Sequence, residues 1–246
     1  MAPAVAGGRI LFISDLHLDE ARPGIVAQFE RFLDKVVPGS DGLYILGDLF
    51  EYWVGDDSVA LPFNAKVAER LRATAAQMPV RFMHGNRDFM VASEFARATG
   101  VKLLEDPTVI DLYGTRTLLL HGDTLCTDDA AYQAFRKQVR DPGWQRAALA
   151  RPMAERLAIA QDMRVKSEGA KQGKAMAIMD VAPAAVERAF AESGCEMMIH
   201  GHTHRPARHV HRVDGKDRVR WVLADWYERG SYLEATPGGI RTVEAF

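Results

Sequence analysis

Cysteine is nearly absent. Only Cys126 and Cys195 occur among 246 residues, which excludes a disulfide-stapled secreted scaffold and fits buried, reduced thiols. Long hydrophobic runs are also missing: the longest, such as Leu118-Leu119-Leu120 and Met197-Met198-Ile199, fall far short of the roughly 18 apolar residues that suggest a membrane span. The opening residues MAPAVAGG lack the cationic segment and apolar stretch of a signal peptide, so the expected compartment is the cytoplasm. Neither sign of charge dominates, with 31 Lys and Arg against 33 Asp and Glu, which argues against a nucleic-acid protein working by global positive charge. No repeat or low-complexity tract divides the chain. What is present is an ordinary globular composition, 48% hydrophobic and 26% charged, enough for one large domain.

The first half alternates short β-rich runs with helical patterns. Arg9 to Ser14 reads as a buried strand, and Ile25, Val26, Phe29, Phe32, Leu33 and Val36 then mark one face of a helix. Gly42 to Leu46 and Val80 to Met83 are the next strands, separated by a helical pattern ending near Met78. This βαβαβ order implies a largely parallel sheet with covering helices. Val101 to Leu120 reads as strand, turn, strand, with the turn at Tyr113-Gly114-Thr115. Helix then dominates from about Asp128 to Ser193, broken at Asp141-Pro142-Gly143 and restarted at Pro152 and Pro183. Five strands follow, at Glu196–His200, His209–Val213, Val219–Ala224, Tyr232–Ala235 and Ile240–Val243. The expected organisation is one α/β domain over 1–246 carrying a helical insertion at about 128–182.

Metal-binding side chains recur where strands end. Asp15 and His17 follow the first strand, and residues i and i+2 of extended backbone point the same way. Asp48 follows the second strand, Asn86 the third, His121 ends TLLLHGD, and His202 and His204 follow Met197 to His200. The carboxyl ends of strands are where ligands bind in open α/β sheets. Carboxylate and amide oxygens mixed with imidazole nitrogens suit Mn²⁺, Fe²⁺ or Zn²⁺ better than Mg²⁺. Seven donors exceed the need of one ion and suffice for two if a carboxylate bridges. Paired ions activate water and stabilise the oxygens of an in-line displacement at phosphorus, so phosphoester or phosphoanhydride hydrolysis is the chemistry implied.

In order along the chain, Asp15-Leu16-His17, Gly47-Asp48, Gly85-Asn86-Arg87-Asp88, His121 and Gly201-His202-Thr203-His204 resemble the motifs of the calcineurin-like metallophosphoesterases. The resemblance implies two central β-sheets flanked by helices. It places one metal on Asp15, His17, Asp48 and His204 and a second on Asp48, Asn86, His121 and His202, with Asp48 shared. Many members carry a histidine where this chain has Arg87. An arginine stays charged and cannot protonate a leaving group, but it can grip phosphate oxygens bidentately, so the bond cut is expected to be a pyrophosphate. The segments SDLHL, GDLFE, HGNRDF, HGDTLCTDD, AIMDV, HGHTHRP and DWYE are similar to those of the family members that cleave UDP-2,3-diacylglucosamine in lipid A synthesis. That likeness implies attack on the α-phosphorus, release of UMP and 2,3-diacylglucosamine 1-phosphate, and two Mn²⁺ ions as cofactor. Catalytic roles then fall on Asp48, Asn86, Arg87 and His121, and substrate contacts on Asn86, Arg87, Asp129, Tyr132, Ser167, Lys171, Lys174 and His202. Two other readings stand beside it: a dimetal enzyme acting on a dinucleoside polyphosphate or cyclic nucleotide, and a metal-free scaffold that binds another protein.

Between Arg136 and Lys174 the insertion holds ten basic residues against four acidic ones. With Trp144, Leu149, Met153, Leu157, Ile159 and Met163 interleaved, it is expected to receive acyl chains and to meet an anionic membrane surface, holding the protein peripherally on the cytoplasmic face of the inner membrane. Neither a nucleic acid nor an obligate protein partner is inferred. Simpler roles are expected elsewhere: His84 and His200 as structural neighbours of the motifs, Asp88 as support for its loop, and His209 and His211 as solvent-facing residues of a strand.

Overall fold

The computed structural model describes residues 8–172 and 180–245, except for the side chains of 168 and 170–172. The side chain of Lys171 and the whole of Lys174 therefore lie outside the described residues, as does most of the AIMDV segment.

In the first half, β1 (Ile10–Ile13), β2 (Gly42–Leu46), β3 (Val80–Met83) and β4 (Lys102–Leu104) are joined through α1 (Pro23–Lys35), α2 (Pro62–Ala75) and α3 (Ser93–Thr99). Proline opens α1 and α2, where a missing N–H costs nothing. Next come the hairpin β5 (Thr108–Leu112) and β6 (Thr115–Leu119), then α4 (Ala130–Val139), α5 (Pro142–Leu149), α6 (Met153–Gln172) and α7 (Pro183–Ser193). The chain closes with β7 (Met197–His200), β8 (Ala207–Val213), β9 (Lys216–Val222), β10 (Ser231–Thr236) and β11 (Gly239–Glu244).

One sheet runs β11-β10-β1-β2-β3-β4 and the other β5-β6-β7-β9-β8. In the first, β1 to β4 are parallel; in the second, β6, β7 and β9 are parallel. Alternation along β1 sends Leu11 and Ile13 towards Phe29, Phe32 and Leu71 of the helices, and Ile10 and Phe12 towards Leu119 and Ile199 of the other sheet. A third apolar cluster joins Leu118, Leu120 and Met198 to Val186 and Phe190 of α7. The two sheets thus stack face to face between helical layers, as the sequence leads one to expect.

Three expectations need correction. Val101 to Leu120 contains three strands instead of two, and β4 pairs with β3 in the first sheet while β5 and β6 belong to the second; Asp106-Pro107 lies between β4 and β5, where proline removes a ladder donor. The helix expected to run to Met78 stops at Ala75. His209 and His211 are half-buried instead of solvent-facing, because His211 packs 6.0 Å from the Phe190 ring and accepts a hydrogen bond from Arg220 Nε at 3.1 Å. Cys126 and Cys195 are buried and not joined to each other. No helix among the described residues is long and apolar enough to cross a membrane.

The helix-side core is tight around Phe32, which is fully buried, edge-on to Trp226 at 5.5 Å and 5.4 Å from Tyr232. Phe32→Ala should lower unfolding free energy by about 3–5 kcal/mol in a urea titration; a loss under about 1 kcal/mol would mean that this contact surface is loosely packed.

Candidate functional site

Every expected metal donor lies just beyond the carboxyl end of a parallel strand. Asp15 and His17 follow β1, Asp48 follows β2, Asn86 follows β3, His121 follows β6, and His202 and His204 follow β7. Because both sheets end on the same cavity, side chains from distant parts of the sequence converge. His17 Nε2 lies 3.4 Å from His204 Nε2 and 3.8 Å from Asp48 Oδ2. The other Asp48 oxygen is 3.8 Å from His121 Nε2. Asn86 Oδ1 lies 3.0 Å from His121 Nε2 and 2.8 Å from His202 Nδ1. Two three-residue groups, Asp15, His17 and His204, and Asp15, Asp48 and His121, hold their donor atoms close enough to ligate an ion.

The backbone is bent to achieve this. Asp15, His17, Asp48, His202 and His204 all have φ between 50° and 68°, a left-handed conformation costly for non-glycine residues and concentrated at functional sites. Pairing holds them there: Asp15 N donates to Gly47 O at 3.1 Å, His17 N to Asp48 O at 2.9 Å and Gly201 N to His121 O at 2.8 Å. The motif glycines are steric necessities. A Cβ on Gly85 would lie 2.0 Å from Asp48 Oδ1, and one on Gly201 would lie 2.2 Å from Asp15 Oδ2.

Other groups stand beside three of the imidazoles, as around bound metals generally. His121 Nδ1 lies 2.9 Å from Leu46 O, His204 Nδ1 3.2 Å from Asp225 and His17 Nδ1 3.8 Å from Glu51. Asp88 is fully buried and accepts from the backbone N–H groups of Gly85, Asp48, Leu49 and Phe50, which is the loop-supporting role expected. His84 and His200 are likewise bonded to backbone, at Val91 O and Gly201 O. Sequence reasoning missed Glu51, Asp123 and Asp225 as partners, although they lie inside the GDLFE, HGDTL and DWYE segments. Asp123 receives the Tyr132 hydroxyl at 2.6 Å and Arg136 Nε at 2.7 Å, and so fastens α4 beside His202.

The electrostatics of the ion-free cluster suit cation binding. Burial would raise Asp15, yet the neighbouring His204 holds it far below the usual carboxylate range. Burial pushes Asp48 up, opposed by His121 and reinforced by Asp88 and Asp15. Burial alone would lower His121, but Asp48, Asp15 and Asp123 lift it to about 9; Asp15 and Asp225 lift His204 to about 10 in the same way. Burial and His121 push His202 down to about 3. Asp15 Oδ1 is buried and accepts no hydrogen bond. Buried carboxylates, neutral and protonated imidazoles and an unsatisfied oxygen facing one point fit a divalent ion, which would take the place of the protons.

A cavity of about 870 Å³ extends from this cluster into the helical insertion. Asn86, Arg87, Asp129, Tyr132, Ser167 and His202 line it, and its far wall is apolar, with Phe89, Phe135, Trp144, Ile159 and Met163. Asp129 also caps α4, accepting from Tyr132 N at 3.1 Å. The Tyr132 phenol is driven well above its ordinary range by burial and Asp123, so it keeps its proton. Among the described basic residues of the insertion, four point inward instead of forming a positive outer face: Arg136 to Asp123, Arg140 to Gly85 O, Arg156 to Asp57 and Arg164 to Glu51.

Because His121 and His204 are raised, each holds a proton at neutral pH in the ion-free protein, and cation uptake must displace it. Mn²⁺ affinity should therefore fall as pH drops from about 8 to 6, with at least about one proton released per protein. Calorimetry in buffers of different ionisation enthalpy measures this; a pH-independent affinity would contradict it.

Residues 8–206 match the calcineurin-like phosphoesterase family model. The chain is 52% identical over 238 residues to a UDP-2,3-diacylglucosamine hydrolase of Xanthomonas campestris pv. campestris (strain B100), covering 94% of this chain and 96% of that protein. It is 54% identical to the protein of that name in Xanthomonas axonopodis pv. citri (strain 306), over 93% and 96% of the two chains. For the protein of that name in Stenotrophomonas maltophilia (strain K279a), identity is 50% over 93% and 95%. Motif order, sheet architecture and sequence identity agree, and the chain belongs to the calcineurin-like phosphoesterase family.

Proposed function

We propose that this protein hydrolyses the pyrophosphate bond of UDP-2,3-diacylglucosamine, giving UMP and 2,3-diacylglucosamine 1-phosphate. The observation that carries the substrate reading is the continuity of one cavity from a cluster of metal donors to an apolar chamber, the shape required by a molecule that is a diphosphate at one end and a pair of acyl chains at the other. Relatives at 50–54% identity carry the name of that activity. A dinucleoside polyphosphate or cyclic nucleotide would leave the apolar chamber empty, and a metal-free scaffold would have no use for seven converging donors, five of them in strained backbone.

In this reading Asp15, His17, Asp48 and His204 would hold one Mn²⁺ ion, and Asp48, Asn86, His121 and His202 would hold a second. When bound they activate water and stabilise negative charge at phosphorus. The chain's own residues do the rest. Arg87, whose backbone N–H donates to Asp48 Oδ1 at 2.8 Å, grips the phosphate that leaves with the sugar; an already acidic phosphate needs no proton, so a guanidinium serves where an imidazole would protonate an alkoxide. Tyr132, Ser167 and Asp129, which line the cavity, offer polar contacts to the sugar phosphate; the Lys171 side chain and Lys174, the other expected contacts, lie outside the described residues. The chains of the substrate lie between α4, α5 and α6, which act as a lid.

Phosphorus NMR of the reaction in ¹⁸O-water should place the label in UMP; label in the sugar phosphate would overturn attack on the α-phosphorus. Removing both acyl chains should lower kcat/KM at least about 100-fold, since one buried methylene alone is worth about tenfold or more. Equal turnover of the deacylated compound would overturn the lipid assignment.

We further propose that the insertion meets the cytoplasmic face of the inner membrane. Phe135, Leu149 and Val165 are exposed there, together with Lys137, Arg146 and Arg151. Because inward ion pairs consume part of the basic count, the apolar contribution matters as much as charge. The protein should sediment with anionic vesicles at low salt, and a Leu149→Asp, Val165→Asp variant should not; equal sedimentation of the two would refute this surface.

A further inference from the structure

Glu51 has no part in the donor set, yet four elements converge on it. Its side chain is 2% exposed. It lies in the segment after β2, where its backbone N–H donates to Leu18 O at 3.1 Å, which ties it to the loop carrying Asp15 and His17. Each carboxylate oxygen faces one guanidinium and one residue of the site. Oε2 is 3.1 Å from Arg22 Nη1 and 3.8 Å from His17 Nδ1. Oε1 is 2.9 Å from Arg164 Nε and 4.0 Å from Arg87 Nη1. Arg22 lies in turn over the Tyr227 ring at 4.8 Å, and that ring stacks on His17 at 5.3 Å and 9°. Asp19, 3.8 Å from Arg164 Nη1, is the other acid beside the group.

Arg164 belongs to α6, in the middle of the insertion, whereas Arg87 and His17 belong to loops at the sheet edge. We infer that Glu51 is a positioning residue that latches the lid to the metal-binding end of the sheet, holding α6 through the same carboxylate that aims Arg87 and His17. Lid and phosphate grip then cannot shift independently. Three guanidiniums around one buried carboxylate leave unbalanced positive charge, so an incoming diphosphate competes with Glu51 for Arg87 and Arg164. Binding of the anion would be felt directly by the helix that covers the acyl chains. The role in substrate capture rests on the activity proposed above; the latch itself does not.

The test uses the full-length, Mn²⁺-loaded protein without substrate, so the outcome is independent of which molecule is hydrolysed. Hydrogen exchange of residues 159–167 is followed by mass spectrometry in the native protein, Glu51→Gln, Arg164→Gln and the double variant. Loss of this partly buried ion pair should accelerate exchange by about tenfold or more in each single variant, and the double variant should be no faster than either. Glu51→Gln should also weaken Mn²⁺ binding by about tenfold, as expected when a partner of a metal-bound histidine is lost, a change that a general loosening of α6 would not produce. Unchanged exchange in Glu51→Gln overturns the latch, as does a double variant whose acceleration is the product of the two singles. Should Glu51→Gln fail to fold, Arg164→Gln, altered at a partly exposed position, carries the test: native exchange rates in that variant would equally overturn it.

Discussion

The structure depends on gathering charge that water would otherwise solvate. Asp15, Asp48 and Asp88 are buried within one cluster with four imidazoles, and each ion so removed from water costs several kcal/mol unless it is compensated. Backbone N–H groups of Gly85, Leu49 and Phe50 compensate Asp88 in part, and burial still pushes its carboxyl upward. Neighbouring imidazoles, His204 first, stabilise the charged form of Asp15, whereas His121 offsets the burial of Asp48 only in part; their protons are what a cation can replace. The two-sheet architecture is what makes the cluster possible: it brings the ends of five parallel strands to one cavity, so donors far apart in sequence lie only two to four residues beyond a rigid strand. Left-handed backbone at five of those donors is the conformational cost of so short a reach, and the ladders of both sheets hold it in place.

The helical insertion extends the same logic outward. Read by composition it is a basic strip, but Arg136, Arg140, Arg156 and Arg164 are structural ties. Arg136 fastens α4 to Asp123 beside His202, Arg140 reaches Gly85 O at the strand end before Asn86, and Arg156 pins the start of α6 to Asp57 and Val54 O. Each leaves a charged or backbone acceptor of the sheets satisfied, while Trp144, Ile159 and Met163 of the same insertion face the cavity. A polar end and an apolar end of one chamber thus arise from a single amphipathic arrangement.

Much of this was legible in the sequence. Buried strands announce themselves by runs such as ILFI and GLYIL, and the donors by their position immediately after them. What was not legible depended on long-range geometry. α3 is seven residues long and stops at Gly100, too short for a helical period to register. β4 could not be assigned to a sheet, because extended residues carry no label for the neighbour with which they pair. Glu51, Asp123 and Asp225 stood inside recognisable segments, but a carboxylate that serves an imidazole three loops away has no local pattern to distinguish it from a cap or a surface acid. The direction of the lid arginines was hidden for the same reason: their acceptors are backbone carbonyls and single acids contributed by other loops.

The replacement of a possible proton donor by Arg87 makes physical sense only with its surroundings. Its backbone N–H is bonded to Asp48 Oδ1 and its carbonyl accepts from Trp53 N at 3.2 Å, so its Cα is fixed to the carboxylate at the centre of the cluster. Its guanidinium approaches Glu51, which also faces His17. A long cationic side chain on a mobile loop would find phosphate oxygens in many geometries and fix none. Anchored at both ends, Arg87 presents its donors from one direction, relative to the same donor atoms that would hold the ions. In the proposed reaction, orientation of this kind would turn a charge that could only attract an anion into one that selects which phosphate of the diphosphate is held and which is left open to attack.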